Sequence, residues 1–97
     1  MNPFSSQGGN SRRYSATRSV SLAPYNVILH RDAEQSILFI VRVVMELTRF
    51  CKAEAMNRMW EAYHIGRAVI LATNLERAEL FAEEFQLRGL RVTVEEA

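Results

Sequence analysis

The sequence has a single cysteine, two prolines and four glycines among its 97 residues. Cys51 alone cannot form an intrachain disulfide, which excludes a disulfide-stapled fold and is consistent with a reducing compartment. No apolar run is long enough to span a bilayer, and the first residues lack the basic start and apolar core of a secretory signal. We therefore expect a cytoplasmic protein without a membrane partner.

Acidic side chains are absent from the first 23 residues. This segment contains three arginines and carries a charge of +3, whereas the remainder has nine basic and eleven acidic residues. Because it is rich in Ser, Gly and Asn and has no apolar period, residues 1–23 are predicted to be a flexible N-terminal extension. Pro24 marks the start of one small domain, residues 24–97. Its slightly acidic balance argues against nucleic acid as a partner.

Apolar patterns in the domain predict six elements in the order β-α-α-β-α-β. Alternating or continuous apolar runs indicate strands at about residues 25–30, 68–72 and 90–95. Spacings of three and four indicate helices between them, at about residues 32–49, 52–63 and 74–88. Strands and helices in this proportion predict an α+β domain of two layers.

Polar residues and glycine predict where the helices begin and end. Asp32, followed three residues later by Gln35, is a candidate start for the first helix, because its carboxylate can cap free backbone N–H groups. Thr73 or Asn74 is a candidate cap for the third helix in the same way. Gly66 suits the end of the second helix, since glycine tolerates positive φ.

Two segments carry a resemblance to a known family: Tyr-Asn-Val-Ile-Leu-His-Arg-Asp at residues 25–32 and Met-Trp-Glu-Ala-Tyr-His-Ile-Gly-Arg-Ala-Val-Ile at residues 59–70. They resemble the ClpS family, whose pattern is a strand, an Asn-Asp corner, two helices with a late His, and a Gly-(Lys/Arg)-Ala strand. The match runs without a gap from Tyr25 to about Phe81. It implies a three-stranded antiparallel sheet with the first strand in the middle and three helices packed on one face.

The resemblance also implies a function. ClpS proteins are adaptors, not enzymes, and they hand proteins that begin with a large hydrophobic residue, the N-degron, to Clp AAA+ unfoldases. The expected partners are therefore a Clp unfoldase of ClpA or ClpC type and substrate proteins or peptides with hydrophobic N-termini. The family's N-terminal extension engages the unfoldase during delivery, which residues 1–23 match in length and composition. Nothing in the sequence calls for a cofactor, a metal or more than a monomer.

A hydrophobic pocket and a polar rim are the implied binding site. An apolar pocket must accept the first side chain of the substrate, and polar groups must hydrogen-bond its α-amino group, which is costly to desolvate. The rim positions here are Arg31, Asp32 and Tyr63. The positions that match the family pocket, with the last strand contributing one further candidate, are Ile37, Ile40, Met59, Ala62 and Leu90.

The rim departs from the family at several positions, and the family's Thr at the start of the first helix is replaced here by Gln35-Ser36. Arg31 stands where the family has Asn, Ala33 replaces the second acid, and Tyr63 replaces the late His. His64 follows directly, but one residue along a helix turns a side chain by about 100°, so it does not simply substitute. An ammonium would be repelled by Arg31 if its guanidinium pointed inward, with only Asp32 and the Tyr63 hydroxyl to compensate. We therefore expect weak or altered N-degron recognition.

Glu76, at the start of the third helix, matches an acidic position at which the family contacts the N-terminal domain of the unfoldase. The basic contact position that follows is occupied by Phe81, which we interpret as a core residue. An exposed glutamate is otherwise an ordinary solvated side chain. Its assignment to the unfoldase surface therefore depends on the resemblance.

Several other interpretations are open at this point. The Ile and Met stripe is also what a plain core looks like, and Arg31-Asp32 is also a solvated corner that caps a helix. His30, Asp32 and His64 suggest a metal or acid–base site, but zinc needs three or four ligands with second-shell support. A nucleic-acid or ribosome-associated module shares the element order. A further hypothesis is a ClpS-like regulator that binds the unfoldase without accepting N-degrons.

Overall fold

The computed structural model describes residues 23–97, so the predicted extension lies outside the described residues except for Ala23. The order β-α-α-β-α-β is confirmed, and the elements lie close to their predicted positions except at the start of the first helix. They are β1 (Tyr25–His30), α1 (Ile37–Thr48), α2 (Lys52–Ile65), β2 (Arg67–Thr73), α3 (Leu75–Leu87) and β3 (Val92–Glu96). Within residues 23–97, no helix combines the length and apolarity needed to cross a membrane.

The sheet has the order β2-β1-β3, and β1 pairs antiparallel with both neighbours. Val27 and Leu29 point from β1 into a core that includes side chains from all three helices. α2 and α3 lie against the strands, whereas α1 packs mainly against these two helices. The predicted two-layer α+β fold, with an antiparallel sheet covered on one face, is therefore confirmed.

β2 contains a bulge that the sequence pattern did not indicate. Val27 pairs with Leu71 and Ile28 pairs with Val69, which leaves Ile70 as an extra residue on β2. A bulge lets two successive residues on one strand oppose a single residue on its partner. Because of it, both Ile70 and Leu71 contact the core, although neighbours on a regular strand face opposite sides.

The prediction that α1 begins at Asp32 is wrong. α1 begins at Ile37, and its N-cap is Ser36, whose Oγ accepts a hydrogen bond from the Phe39 amide at 3.1 Å. Asp32 instead forms a local turn, in which its Oδ1 accepts from the Glu34 amide at 2.9 Å. Residues 31–36 are consequently a loop rather than the first turn of a helix, which leaves them free to form the wall of a cavity.

The predicted start of α3 and the glycine that ends α2 agree with the structure. Asn74 caps α3 by accepting from the Arg77 amide at 2.9 Å. Gly66 ends α2 with φ of 109°, a conformation that favours glycine. α2 continues to Ile65, two residues past its predicted end at Tyr63. This extra length places the carbonyl groups of its last turn beside the β1–α1 loop, as described below.

Candidate functional site

An open cavity of about 80 Å³ lies where β1 ends, between the β1–α1 loop, the first turn of α1 and the second half of α2. A single water molecule needs roughly 10–15 Å³ on the same measure, so the cavity has room for part of a side chain. The residues that line it are Leu29, His30, Arg31, Asp32, Ala33, Gln35, Ile37, Ile40, Met59, Ala62 and Tyr63.

The structure brings seven of the nine predicted site residues to this cavity. The apolar side is formed by two helices, each of which presents residues spaced by three: Ile37 and Ile40 on α1, and Met59 and Ala62 on α2. Residues at this spacing share one helix face. Met59 is 2% exposed and its thioether side chain is flexible, so it can adapt to the shape of a bound group.

Two predicted residues lie away from the cavity. Leu90 is 3% exposed and belongs to the hydrophobic core, outside the cavity lining. Glu76 is exposed in the first turn of α3, where a negative charge interacts favourably with the helix dipole. Phe81, interpreted above as core, is partly buried against the core, with the Arg77 guanidinium 5.8 Å from its ring centroid.

Arg31 fastens the β1–α1 loop to the end of α2. Its Nε donates to the Tyr63 carbonyl at 2.8 Å, and one of its terminal nitrogens lies 3.4 Å from the His64 carbonyl. Its backbone amide also donates to the Gly66 carbonyl at 3.0 Å. Carbonyl groups in the last turn of a helix lack intrahelical partners and carry partial negative charge, so a cation is favourable there. The guanidinium is therefore engaged with a helix end.

Arg91 and Asp32 add two further charged groups near the cavity. Arg91 donates through a terminal nitrogen to the Arg31 carbonyl at 3.3 Å, which brings a second guanidinium close to the loop. Asp32 supplies a carboxylate to the lining, and its bond to the Glu34 amide uses Oδ1 only. Tyr63 is 49% exposed, so its ring lies between the cavity and solvent. The cavity lining therefore combines the Asp32 carboxylate with the Arg31 guanidinium, and Arg91 contacts the backbone of the same loop.

Four lining residues were not predicted as site residues: Leu29, His30, Gln35 and Ala33, the last of which was noted only as a departure from the family. Leu29 and His30 are the last residues of β1, and the His30 ring nitrogen Nε2 lies 2.7 Å from Thr93 Oγ1 on β3. Gln35 donates to the Gly89 carbonyl at 3.0 Å, which holds the loop against the turn before β3. Gln35 stands where the family has Thr, and this was the one local signal that it belongs to the site.

The described residues, 23–97, contain no group of three His, Cys, Asp or Glu side chains that could hold a metal ion. His30 and Asp32 both line the cavity, but His64 lies with its ring stacked on Trp60, at a centroid distance of 5.4 Å. What the cavity offers chemically is an apolar hole lined by one carboxylate, beside a guanidinium that is engaged with the carbonyl groups at the end of α2. That arrangement suits binding of a group that is hydrophobic at one end and cationic at the other.

The fold and the cavity together define a small two-layer α+β binding domain. The family model described as "ATP-dependent Clp protease adaptor protein ClpS" matches residues 21–93. The chain belongs to the ClpS family, as its sequence indicated.

Several known proteins are similar to this chain. The ATP-dependent Clp protease adapter protein ClpS of Synechococcus elongatus is 28% identical over 81% of this chain and 85% of its own length. That of Gloeobacter violaceus is 31% identical over 73% of this chain and 77% of its own length. The solved structure of Agrobacterium tumefaciens ClpS2 bound to L-phenylalaninamide superposes with a TM-score of 0.72 and 26% identity. The superposed region covers 77% of this chain and 98% of the ClpS2 chain.

Proposed function

We propose that this chain is a non-catalytic adaptor, with residues 24–97 as its adaptor domain, that recruits proteins through a hydrophobic N-terminal residue. It delivers them to a Clp AAA+ unfoldase of ClpA or ClpC type, in the cytoplasm and as a monomer. The observation that carries the proposal is the cavity, whose apolar wall of Ile37, Ile40 and Met59 adjoins the Asp32 carboxylate. A hydrophobic residue at the N-terminus of a protein has an apolar side chain that fits the apolar wall and an ammonium group that can pair with the carboxylate.

The ligand of a structural relative supports this class of substrate. L-Phenylalaninamide, named in the Agrobacterium ClpS2 structure, combines an aromatic side chain with a free α-amino group. Removing an ammonium from water is costly unless it is paired, and a carboxylate within hydrogen-bond reach compensates for that cost. Asp32 is the carboxylate that this chain offers at the cavity.

Arg31 sets an upper limit on how strongly an ammonium binds. Its guanidinium is directed at the Tyr63 and His64 carbonyl groups, which partly neutralise it. Like charges near a binding site still weaken binding, and screening by solvent reduces the effect at an exposed position. We therefore expect the N-terminal residue to bind more weakly than it would beside a neutral residue at this position.

Fluorescence anisotropy with a labelled peptide that begins with Leu or Phe tests the proposal, and the same peptide with an acetylated N-terminus is the control. Asp32→Asn is the matched variant, because its amide oxygen can still accept from the Glu34 amide while the negative charge is lost. We expect binding that acetylation abolishes and that Asp32→Asn weakens by about tenfold or more, with unchanged stability.

Two results contradict the proposal. Equal binding of the free and acetylated peptides would show that the cavity does not read the α-amino group. Absence of binding to either peptide would favour the second candidate, a ClpS-like regulator that docks on the unfoldase without accepting N-degrons. The observation that favours this candidate is the altered rim, with Arg31, Ala33 and Tyr63 at the positions where the family has Asn, an acid and His.

A further inference from the structure

Three aromatic rings form a cluster beside the cavity. The Trp60 and His64 rings are stacked, with centroids 5.4 Å apart and an interplanar angle of 18°. The Tyr63 ring stands perpendicular to both, at 5.7 Å from Trp60 and 5.3 Å from His64. The positions i, i+3 and i+4 place all three side chains on one stripe of α2. We call this group, Trp60, Tyr63 and His64, the aromatic cluster.

The aromatic cluster is open to solvent and continuous with the cavity. Trp60 is 38% exposed and Tyr63 is 49% exposed, and His64 is exposed as well. Tyr63 belongs to both features, because it lines the cavity and contacts the other two rings. A ligand that leaves the cavity past Tyr63 therefore meets Trp60 and His64 next.

We infer that the aromatic cluster is a second subsite, which binds the side chain of the second residue of the substrate. The inference rests on the proposed function, in which the first side chain occupies the cavity. Consecutive Cα atoms are about 3.8 Å apart, and both other rings lie within 6 Å of Tyr63, so the second side chain is within reach. The three rings are not needed to complete the hydrophobic core, because the buried side chains of Met59 and Ala62, on the neighbouring face of α2, already belong to it.

The chemistry of the aromatic cluster selects an aromatic or large apolar second residue. Aromatic side chains gain from offset or edge-to-face contacts with rings such as Trp60. The negative faces of these rings repel a carboxylate. The same ring faces attract a cation, but the positive charge of Arg31, which lies against the Tyr63 and His64 carbonyl groups, opposes the binding of a lysine or arginine. The preferred substrate therefore begins with two hydrophobic residues.

The test compares labelled peptides that begin Leu-Phe, Leu-Gly and Leu-Lys and are otherwise identical, together with unlabelled leucinamide as a competitor that has no second side chain. Affinities are measured for the unmodified chain and for Trp60→Ala and His64→Ala. Glu61→Ala is the matched control, because this exposed side chain lies on α2 between the two. Circular dichroism establishes that the variants keep their helices.

We expect Leu-Phe to bind about fivefold more tightly than Leu-Gly, and Leu-Lys no more tightly than Leu-Gly. Trp60→Ala should bring the Leu-Phe to Leu-Gly ratio close to one while the affinity for leucinamide stays unchanged, and Glu61→Ala should alter neither. A ratio of one in the unmodified chain, or a ratio that survives both Trp60→Ala and His64→Ala, overturns the inference and leaves the proposed function intact. Absence of binding by all three peptides and by leucinamide overturns both.

Discussion

Removing the Arg31 side chain should destabilise the domain, although this side chain is exposed. In Arg31→Ala the backbone bond from residue 31 to the Gly66 carbonyl is retained, because it involves only the amide. What is lost is the contact of the guanidinium with the Tyr63 and His64 carbonyl groups, at 2.8 and 3.4 Å. The variant therefore measures the attachment of the loop to α2 through the side chain alone.

The expected loss follows from the geometry of these contacts. Only the 2.8 Å bond is short enough to count as strong, since 3.4 Å is beyond the usual range. A charge-assisted bond contributes about 1.5–3 kcal/mol when buried, and exposure to solvent reduces it to about 1 kcal/mol here. Interaction with the helix dipole adds roughly 0.3–1 kcal/mol. The sum is about 1–2 kcal/mol, or a fall in Tm of about 5–15 °C for a domain of this size.

Urea denaturation followed by Trp60 fluorescence measures this loss, because Trp60 is the only tryptophan of the chain. Arg31→Lys should recover part of the stability, since it keeps the charge but not the fork of donors. Arg42→Ala, at an exposed site on α1, is the control and should change stability by less than about 0.5 kcal/mol. If Arg31→Ala and Arg42→Ala unfold at the same urea concentration, the guanidinium does not hold the loop and the reasoning is wrong.

The remaining predictions concern the turn beside the cavity and the predicted unfoldase surface. Gly89→Ala and Gly66→Ala both place a Cβ at positive φ, 91° and 109° respectively, but only at Gly89 does the new atom come within 2.8 Å of the Gln35 amide nitrogen. Both variants should lose about 1 kcal/mol of unfolding free energy, measured by thermal unfolding. Gly89→Ala alone should also weaken peptide binding, and equal peptide affinities of the two variants would contradict this. In surface plasmon resonance with an immobilised unfoldase N-terminal domain, Glu76→Ala should reduce binding at least fivefold and the control Glu83→Ala should not; equal losses would place the contact elsewhere.

Local signals in the sequence were sufficient for most of the fold. The alternation of Val27 and Leu29 identified β1, Gly66 identified the end of α2, and Thr73 or Asn74 marked the start of α3, because each signal depends only on neighbouring residues. The prediction for the start of α1 was wrong because the sequence contains two residues of a capping type, Asp32 and Ser36, and local preferences do not choose between them. Distant contacts decide the matter.

Those contacts also explain what the sequence missed at the candidate site. Gln35 is bonded to Gly89, 54 residues away, and Arg31 is bonded to the Tyr63 carbonyl, 32 residues away, so residues 31–36 stay outside the helix. The concern that the Arg31 guanidinium points inward could not be settled from the sequence, because its partners are backbone carbonyl groups that have no residue signature. Leu90, the further candidate from the last strand, belongs to the core and lies outside the cavity lining, whereas the equally buried Met59 and Ala62 line it.

The position of β1 has a mechanical consequence. The chain enters the domain at Tyr25, and the cavity begins at Leu29, near the other end of the same strand, about 13 Å away. A force on the preceding residues would act along the strand axis. The hydrogen bonds from β1 to β2 and to β3 would then be loaded in shear, and they would resist the force together rather than break one after another. If that force extracted β1, the wall formed by Leu29, His30 and Arg31 would leave with it. Mechanical unfolding of the domain and release of whatever the cavity holds would then be one event.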